Sequence, residues 1–433
     1  MTDIATESIA AKTAFTSSPY EPKRPAPASL DEINLLDHDL YRTGDPHAAW
    51  KMLRDQAPVF WHRHGSRGTD GNGFWVLSRY DDIAAVYRNS ALYSSECGPF
   101  LDLQKDDTPP NILASIDGHP HRARRGIVAK LFTPQAIKGW NESVRRIVDG
   151  IIDEVIEKGE CDFSRDIAHA LPIKATCELL GISAEEARRL IDMLFSLDPG
   201  SIDGLGDYNR ATAAFFLKLA KERQAKGEKG TMVDLIASAQ IEGEPIADDE
   251  IAEMLWILFF GGIDSTVHAI TGSLLTLFHH PDQLEAIRRD PSLAWNGTEE
   301  MLRWTSTSHA NKRQAIEDTE IGGKSIRKGD YVTMWSPSAN RDENVFPEPF
   351  RFDLERKFER GRAIATFGGG GPHQCIGQFF ARLELQILFE AIFERMPDIA
   401  PAGPTIRSDH FTILLSPIEE MPVRFTPGKR VFT

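Results

Sequence analysis

The chain has 433 residues, long enough for about three domains, with a net charge of −15 at pH 7. That acidic balance excludes nucleic acid as a partner, since phosphate binding needs the opposite sign. Four cysteines without CxxC pairing (Cys97, Cys161, Cys177 and Cys375) exclude a disulfide framework, and the longest apolar run, Met254 to Phe260, is too short to cross a bilayer.

Residues 1–30 are rich in Ala, Ser, Thr and Pro without an apolar signal core, and read as a disordered tail. No linker or repeat divides the rest, so 31–433 is expected to be one domain. Asp45-Pro46 opens a helix carrying Ala49, Met52 and Leu53. Two strand-like runs follow, Val59–Trp61 and Phe74–Leu77, joined by the glycine-rich loop 65–73. Asp81 is the expected cap of a helix over Ile83–Tyr87.

Residues 94–116, with Pro99, Pro109 and Pro110, lack periodicity and read as a lid or binding loop. Phe100, Leu101, Leu103, Ile112 and Leu113 are its candidates for touching an apolar substrate. Next comes a basic stretch with His121, Arg122, Arg124, Arg125 and Lys130. His121 and Arg125 are four apart, on one helical face suited to a doubly anionic group. From 134 to 250 the chain is helical, broken between Leu194 and Tyr208 by Pro199 and three glycines, where an entrance lid is expected.

A long helix is predicted from Asp249 to about Phe278. It contains Phe259-Phe260-Gly261-Gly262-Ile263-Asp264-Ser265-Thr266. Two glycines and an acid in an apolar helix cost helix stability, and such local conflict marks a functional site. Glu300 and Arg303, three apart on the next helix, are spaced for an ion pair. The polar segment 305–311 includes Ser308, His309 and Asn311, candidates for the hydrogen bond that orients an apolar ligand. Phe411 and Thr412, with Met421-Pro422-Val423, suggest a terminal hairpin closing the pocket.

The chain is organised around Phe367-Gly368-Gly369-Gly370-Gly371-Pro372-His373-Gln374-Cys375-Ile376-Gly377. The glycines let backbone pass close to something flat, and helical spacing from Ile376 to Ala391 starts a core helix beside the cysteine. Amide donors and the helix dipole there favour a thiolate, which suits a soft metal. At these residues the sequence resembles the cytochrome P450 family, whose haem loop reads Phe-Gly-x-Gly-x-His-x-Cys-x-Gly. Gly369, Gly371, His373, Cys375 and Gly377 fit, whereas Phe367 stands one residue farther from the cysteine.

The resemblance runs from roughly residue 34 to 425. It implies a mainly α fold with a smaller β region (α+β), with haem b between a long central helix and a loop-helix bearing Cys375 as axial ligand. It implies that His121, Arg125 and Arg313 hold the haem propionates. It also places Gly262, Phe367, Gly369, His373 and Gly377 at the haem, and a buried Glu300–Arg303 pair behind the loop. Asp264, Ser265 and Thr266 fit the family's acid–hydroxyl motif for delivering protons to dioxygen, with serine at 265 where threonine is usual. Leu194 and Phe259 join the expected substrate contacts. The implied reaction inserts one oxygen atom into a terpenoid, aromatic or steroid-like compound. Electrons would come from an external [2Fe-2S] ferredoxin and its reductase, docking on Arg122, Arg124, Lys130 and Arg382. A cytoplasmic monomer away from the membrane is expected. A peroxide-driven haem-thiolate enzyme and a haem sensor are the alternatives.

Overall fold

The computed structural model describes residues 25–42, 45–101, 112–195, 202–359, 361, 363–407 and 418–432. Ten helices carry the argument: α1 (Pro46–Gln56), α2 (Tyr80–Arg88), α3 (Gly118–Val128), α4 (Asn141–Val155), α5 (Ala170–Leu180), α6 (Ala184–Phe195), α7 (Ile202–Lys226), α8 (Asp248–Phe278), α9 (Leu293–Thr305) and α10 (Gln378–Arg395). The architecture is mainly helical with several small sheets, an α+β fold.

The largest sheet has five strands. Strands β1 (Val59–His62) and β2 (Phe74–Leu77) form the predicted antiparallel hairpin, Val59 opposite Leu77. Further along the chain lie β3 (Tyr93–Ser94), β4 (Glu160–Asp162), β5 (Ala310–Ala315) and β6 (Tyr331–Trp335). The order is β1-β2-β6-β5-β3, with β6 parallel to β2 and antiparallel to β5. One face of this sheet packs on α1, where Trp50, Leu53, Phe74, Val76 and Trp335 form a small separate core. Helix α1 begins as predicted, with the Asp45 carboxylate accepting from the His47 amide and Pro46 in the first turn. Helix α2 starts at Tyr80, earlier than predicted, so Asp81 lies in its first turn and Arg79 is the cap.

Helix α8 is the axis of the larger core. Asp248, Asp249 and Glu250 fill its first turn, where carboxylates suit the positive end of the dipole, and the Glu250 carboxylate accepts from the Ala247 amide. Apolar residues surround it on all sides, the pattern of a buried helix. On length and composition it would cross a bilayer, yet its apolar side chains are packed against α5, α7 and α9. Helix α10 is similarly apolar and lies between α4 and α9. The expected break between 194 and 208 is narrower than its glycines suggest: α7 begins at Ile202 and runs through Gly204 and Gly206.

The C-terminal strands also depart from the expected simple hairpin. In chain order they are β7 (Ala400–Pro401), β8 (Ile406–Arg407), β9 (Ile418–Glu420) and β10 (Pro422–Arg424). Strand β9 pairs with β8, while β10 pairs with β7 and β4. Met421, buried between β9 and β10, ends one pairing and begins the other.

Candidate active site

A cavity of about 350 Å³ lies between the middle of α8 and the loop before α10. Cys375 borders it. Of the four cysteines, all of them among the described residues, Cys375 is the one on this wall.

The loop is built by its glycines. Gly368, Gly370 and Gly371 take φ values of +90°, +98° and +81°, the left-handed region that other residues rarely enter. A Cβ on Gly371 would come 2.3 Å from the Tyr87 carbonyl oxygen, and one on Gly369 would come 2.7 Å from the Ala84 Cα. The loop therefore lies flat on α2, where Arg88 Nε donates to the Gly369 carbonyl at 3.1 Å. The Cys375 amide donates to the Phe367 carbonyl at 3.0 Å. That bond closes the loop and brings Phe367 to the cavity wall despite the extra residue.

Cys375 keeps open surface because it borders the cavity. Burial pushes its thiol pKa up, opposed by the amides of Gly377 and Gln378 and by the positive charges of Arg125 and Arg382. Amides and cations of this kind stabilise sulfur in its thiolate form.

On one side of the cysteine is a basic group. His121 is 1% exposed, and neither ring nitrogen has a hydrogen-bond partner. Its ring stacks on His373, centroids 4.2 Å apart. Burial, then His373 and Arg125, push the His121 pKa down to about 4. Arg125 donates to the Gln374 carbonyl at 2.6 Å, and both Arg125 and Arg313 line the cavity. A buried imidazole with an unpartnered N–H beside two arginines forms a cradle for an anion. His373 Nε2 lies 2.8 Å from Asp117 Oδ1. Burial works against the Asp117 charge, but hydrogen bonds from His373, the Ser95 amide and the Ser94 hydroxyl hold its pKa at about 2.

Helix α8 forms the opposite wall with Gly261, Gly262, Asp264, Ser265 and Thr266. A Cβ on Gly262 would meet Thr176 Oγ1 at 2.9 Å, so this glycine also permits the close crossing of α5. Loss of water pushes the Asp264 carboxyl up to about 6, with His169 pulling the other way. Ser265 Oγ donates to the Gly261 carbonyl at 3.2 Å, which occupies its proton and leaves the oxygen free to accept.

Behind the loop, Glu300 and Arg303 are both fully buried and joined by a two-pronged pair at 2.6 and 2.8 Å. Arg303 donates to the Asn340 and Pro349 carbonyls, and Arg356 Nε adds a second cation to Glu300 at 2.9 Å. Asn340 accepts from the Ala365 amide and donates to Thr366, tying this fork to the turn that opens the glycine loop.

A sequence model described as Cytochrome P450 matches residues 296–419. A steroid C26-monooxygenase of Rhodococcus jostii is 31% identical over 385 residues, covering 86% of this chain and 80% of its own. The chain belongs to the cytochrome P450 family. Cytochrome P450 NovI of Streptomyces niveus is 29% identical, over 93% of this chain and 98% of its own. Among solved structures, cytochrome P450 CYP268A2 of Mycobacterium marinum, in complex with pseudoionone, superposes with a TM-score of 0.82 at 26% identity, over 93% of this chain and 99% of that one.

The protein is thus a P450 monooxygenase, an oxidoreductase that uses haem b with a cysteine thiolate on the iron. The residues present fit that group: an amide-flanked cysteine at the cavity and an unmatched histidine with two arginines for its carboxylates.

Several expected residues stand elsewhere in this P450. Phe100 and Ser308 line the cavity, but Leu101 and Ile112 are buried away from it. Phe259 points into the core against Phe216, centroids 5.4 Å apart, because a helix presents successive residues to different faces. His309 packs against Tyr41 and Trp50 rather than the cavity. Leu194 falls on α6, and Leu103, Phe411 and Thr412 lie outside the described residues. The basic patch is weaker than its composition implies. Arg124 pairs with Glu250, and Arg382 pairs with Glu299 while covering the Phe367 ring, leaving Arg122 and Lys130 as its exposed cations.

Sequence reasoning missed much of the cavity wall, including two instructive groups. Thr176, Leu179 and Leu180 of α5 line the cavity, unmarked by any local pattern. Glu384 also lines it, 1% exposed, with Oε1 unpartnered and its pKa driven well above the usual range by burial. The signal was present: Glu384 interrupts the apolar stripe Phe380, Leu383, Ile387.

Proposed function

We propose that this P450 hydroxylates an apolar, steroid- or terpenoid-like compound with dioxygen, on electrons from an external ferredoxin, as a cytoplasmic monomer with a single domain from about residue 31. The observation that carries this reading is the mostly apolar cavity with Cys375 on one side and, on the other, Asp264, whose carboxyl is pushed up to about 6 by burial. Similarity to steroid C26-monooxygenases supports the substrate class, with aromatic compounds the other chemistry such a wall accepts.

Haem bound here through Cys375 would supply dioxygen activation, the thiolate favouring O–O cleavage. His121, Arg125 and Arg313 would hold its carboxylates, with His373 kept in place by Asp117. Phe100, Leu113, Leu179 and Leu180 exclude water and orient the substrate by shape, and Ser308 offers one hydrogen bond at the wall. One atom of dioxygen leaves as water, a step that consumes two protons and two electrons. Asp264, able to hold or release a proton near neutral pH, delivers them from its carboxyl, with the Ser265 or Thr266 hydroxyl oxygen orienting the transfer. A peroxide-driven enzyme has no need of such an acid, because its oxidant already carries its protons.

Purified holoenzyme given a steroid panel, dioxygen, and a ferredoxin with its reductase should yield a monohydroxylated product, whereas peroxide alone should not. Electron transfer should slow as ionic strength rises and in Lys130→Glu, since steering fades over a Debye length of about 8–10 Å. Equal product from peroxide contradicts the reading, and salt-insensitive transfer in both proteins removes the Arg122–Lys130 surface.

A further inference from the structure

Phe100 faces the cavity from a short stretch of chain whose backbone is held from outside it. The neighbouring side chains diverge: Leu101 belongs to the small core of Trp50, Phe74 and Trp335, while Phe100 lines the cavity wall. The carbonyls of the residues on either side of Phe100 are both taken by donors remote in sequence. The Pro99 carbonyl accepts from the Lys312 amide of β5 at 3.0 Å. The Leu101 carbonyl accepts from the Gly68 amide at 3.0 Å and from the Ser66 hydroxyl at 2.5 Å. Two donors fill both lone pairs of that oxygen.

The loop that carries Ser66 and Gly68, between β1 and β2, is itself stiff. Thr69, fully buried, accepts from the Ser66 amide at 2.9 Å and donates to the Asn72 carbonyl at 2.6 Å. The Gly71 amide donates back to the Ser66 carbonyl at 2.9 Å. The Tyr331 hydroxyl ties the tip to β6 by donating to the Asp70 carboxylate at 3.2 Å.

Lys312 closes the circuit. Side chains alternate along β5, so Asn311 and Arg313 line the cavity while Lys312 points the other way. Its ammonium is fully buried, lies 5.4 Å from the centre of the Tyr331 ring and donates to the Gly68 carbonyl. One lysine thus holds the Pro99 carbonyl by its amide and, through Gly68, the Leu101 carbonyl by its side chain. Ser66, Gly68 and Lys312 do not themselves border the cavity.

We propose that the loop between β1 and β2 sets the shape selectivity of this P450 through Phe100, with Ser66 as the positioning residue that fixes the ring from outside the cavity. A phenyl ring has no polar atom to anchor it, so the clamped carbonyls beside it hold its direction. Fixing the ring before binding lowers the ordering cost for a bulky ligand that presses on it and makes no difference to a small one. The inference rests on the reading of this wall as the substrate site.

The test titrates full-length holoenzyme with two ligands of the iron, followed in the visible spectrum. Imidazole is too small to span the cavity, whereas clotrimazole, a bulky triaryl azole, must press on its wall. In Ser66→Ala the clotrimazole dissociation constant should rise roughly 2- to 10-fold, the equivalent of one hydrogen bond. Imidazole affinity and haem content should stay at wild-type values. Ser66→Thr keeps the hydroxyl and should restore clotrimazole binding. In a Phe100→Ala background Ser66→Ala should have no further effect, because both act through one ring. An unchanged clotrimazole constant in Ser66→Ala, an equal loss for imidazole, or the same loss with Phe100 already removed overturns the proposal. Failure of the wild type to hydroxylate any steroid would refute the function read above, and the clotrimazole result would still decide the role of Ser66.

Discussion

Asp264→Asn should slow product formation by roughly 10- to 10⁴-fold, the range for a lost general acid. Asparagine keeps the shape of the side chain and removes its titrating proton, so binding of an apolar substrate should be preserved. Ser265→Ala should act differently. Its oxygen is the accepting atom left after Ser265 donates to the Gly261 carbonyl. Losing it should leave oxygen consumption near normal while reducing equivalents appear as hydrogen peroxide instead of product. The same Asp264→Asn protein has a stability signature. In wild type the Asp264 carboxyl pKa rises from 3.8 in the unfolded chain to about 6 in the fold. The folded state therefore holds the proton more tightly, and the associated stability is complete below about pH 4 and lost as pH rises through 6. Above that, the buried carboxylate costs at most roughly 3 kcal/mol. Asp264→Asn should melt higher than wild type at pH 7.5, with the gain vanishing toward pH 4. Wild-type turnover and coupling in both variants, or a melting difference independent of pH, would contradict this account of the helix.

Arg303→Met should destabilise the protein by about 3–5 kcal/mol, the usual result of leaving one half of a buried pair behind. The loss reaches beyond the Glu300 carboxylate. Arg303 also satisfies the Asn340 and Pro349 carbonyls and lies 5.6 Å from the Phe346 ring. Because Asn340 holds the Ala365 amide and the Thr366 hydroxyl, slack at the fork is transmitted to the glycine loop. Haem content after purification should fall along with the melting temperature. Arg303→Lys should rescue little, since a single ammonium cannot reproduce the planar fork. Full haem content with less than about 1 kcal/mol of destabilisation would falsify this role.

The elements that define the fold were legible where periodicity is long or punctuation is strong. The helix over 248–278 declares itself by sustained apolar spacing and three leading acids, and the hairpin Val59–Leu77 by two apolar runs around a glycine-rich loop. The glycine loop was legible because several glycines in succession have few other uses. What stayed hidden depends on contacts distant in sequence. Nothing near Arg124 or Arg382 announces that Glu250 and Glu299 will neutralise them, and nothing in α5 says that Thr176 will reach the cavity. Phe259 and His309 were misplaced for a related reason. Which face of a helix or turn looks inward is set by its neighbours, here Phe216 for one and the Tyr41–Trp50 cluster for the other.

The central claim, that Cys375 presents a thiolate to haem iron on one side of this cavity, is tested most directly by spectroscopy of the reduced protein under carbon monoxide. Wild type should show the red-shifted Soret band of thiolate-bound haem, and Cys375→His should move it to the imidazole-type position while Cys97→Ala, Cys161→Ala and Cys177→Ala leave it unchanged. A Cys375→His protein with the wild-type spectrum would contradict the account.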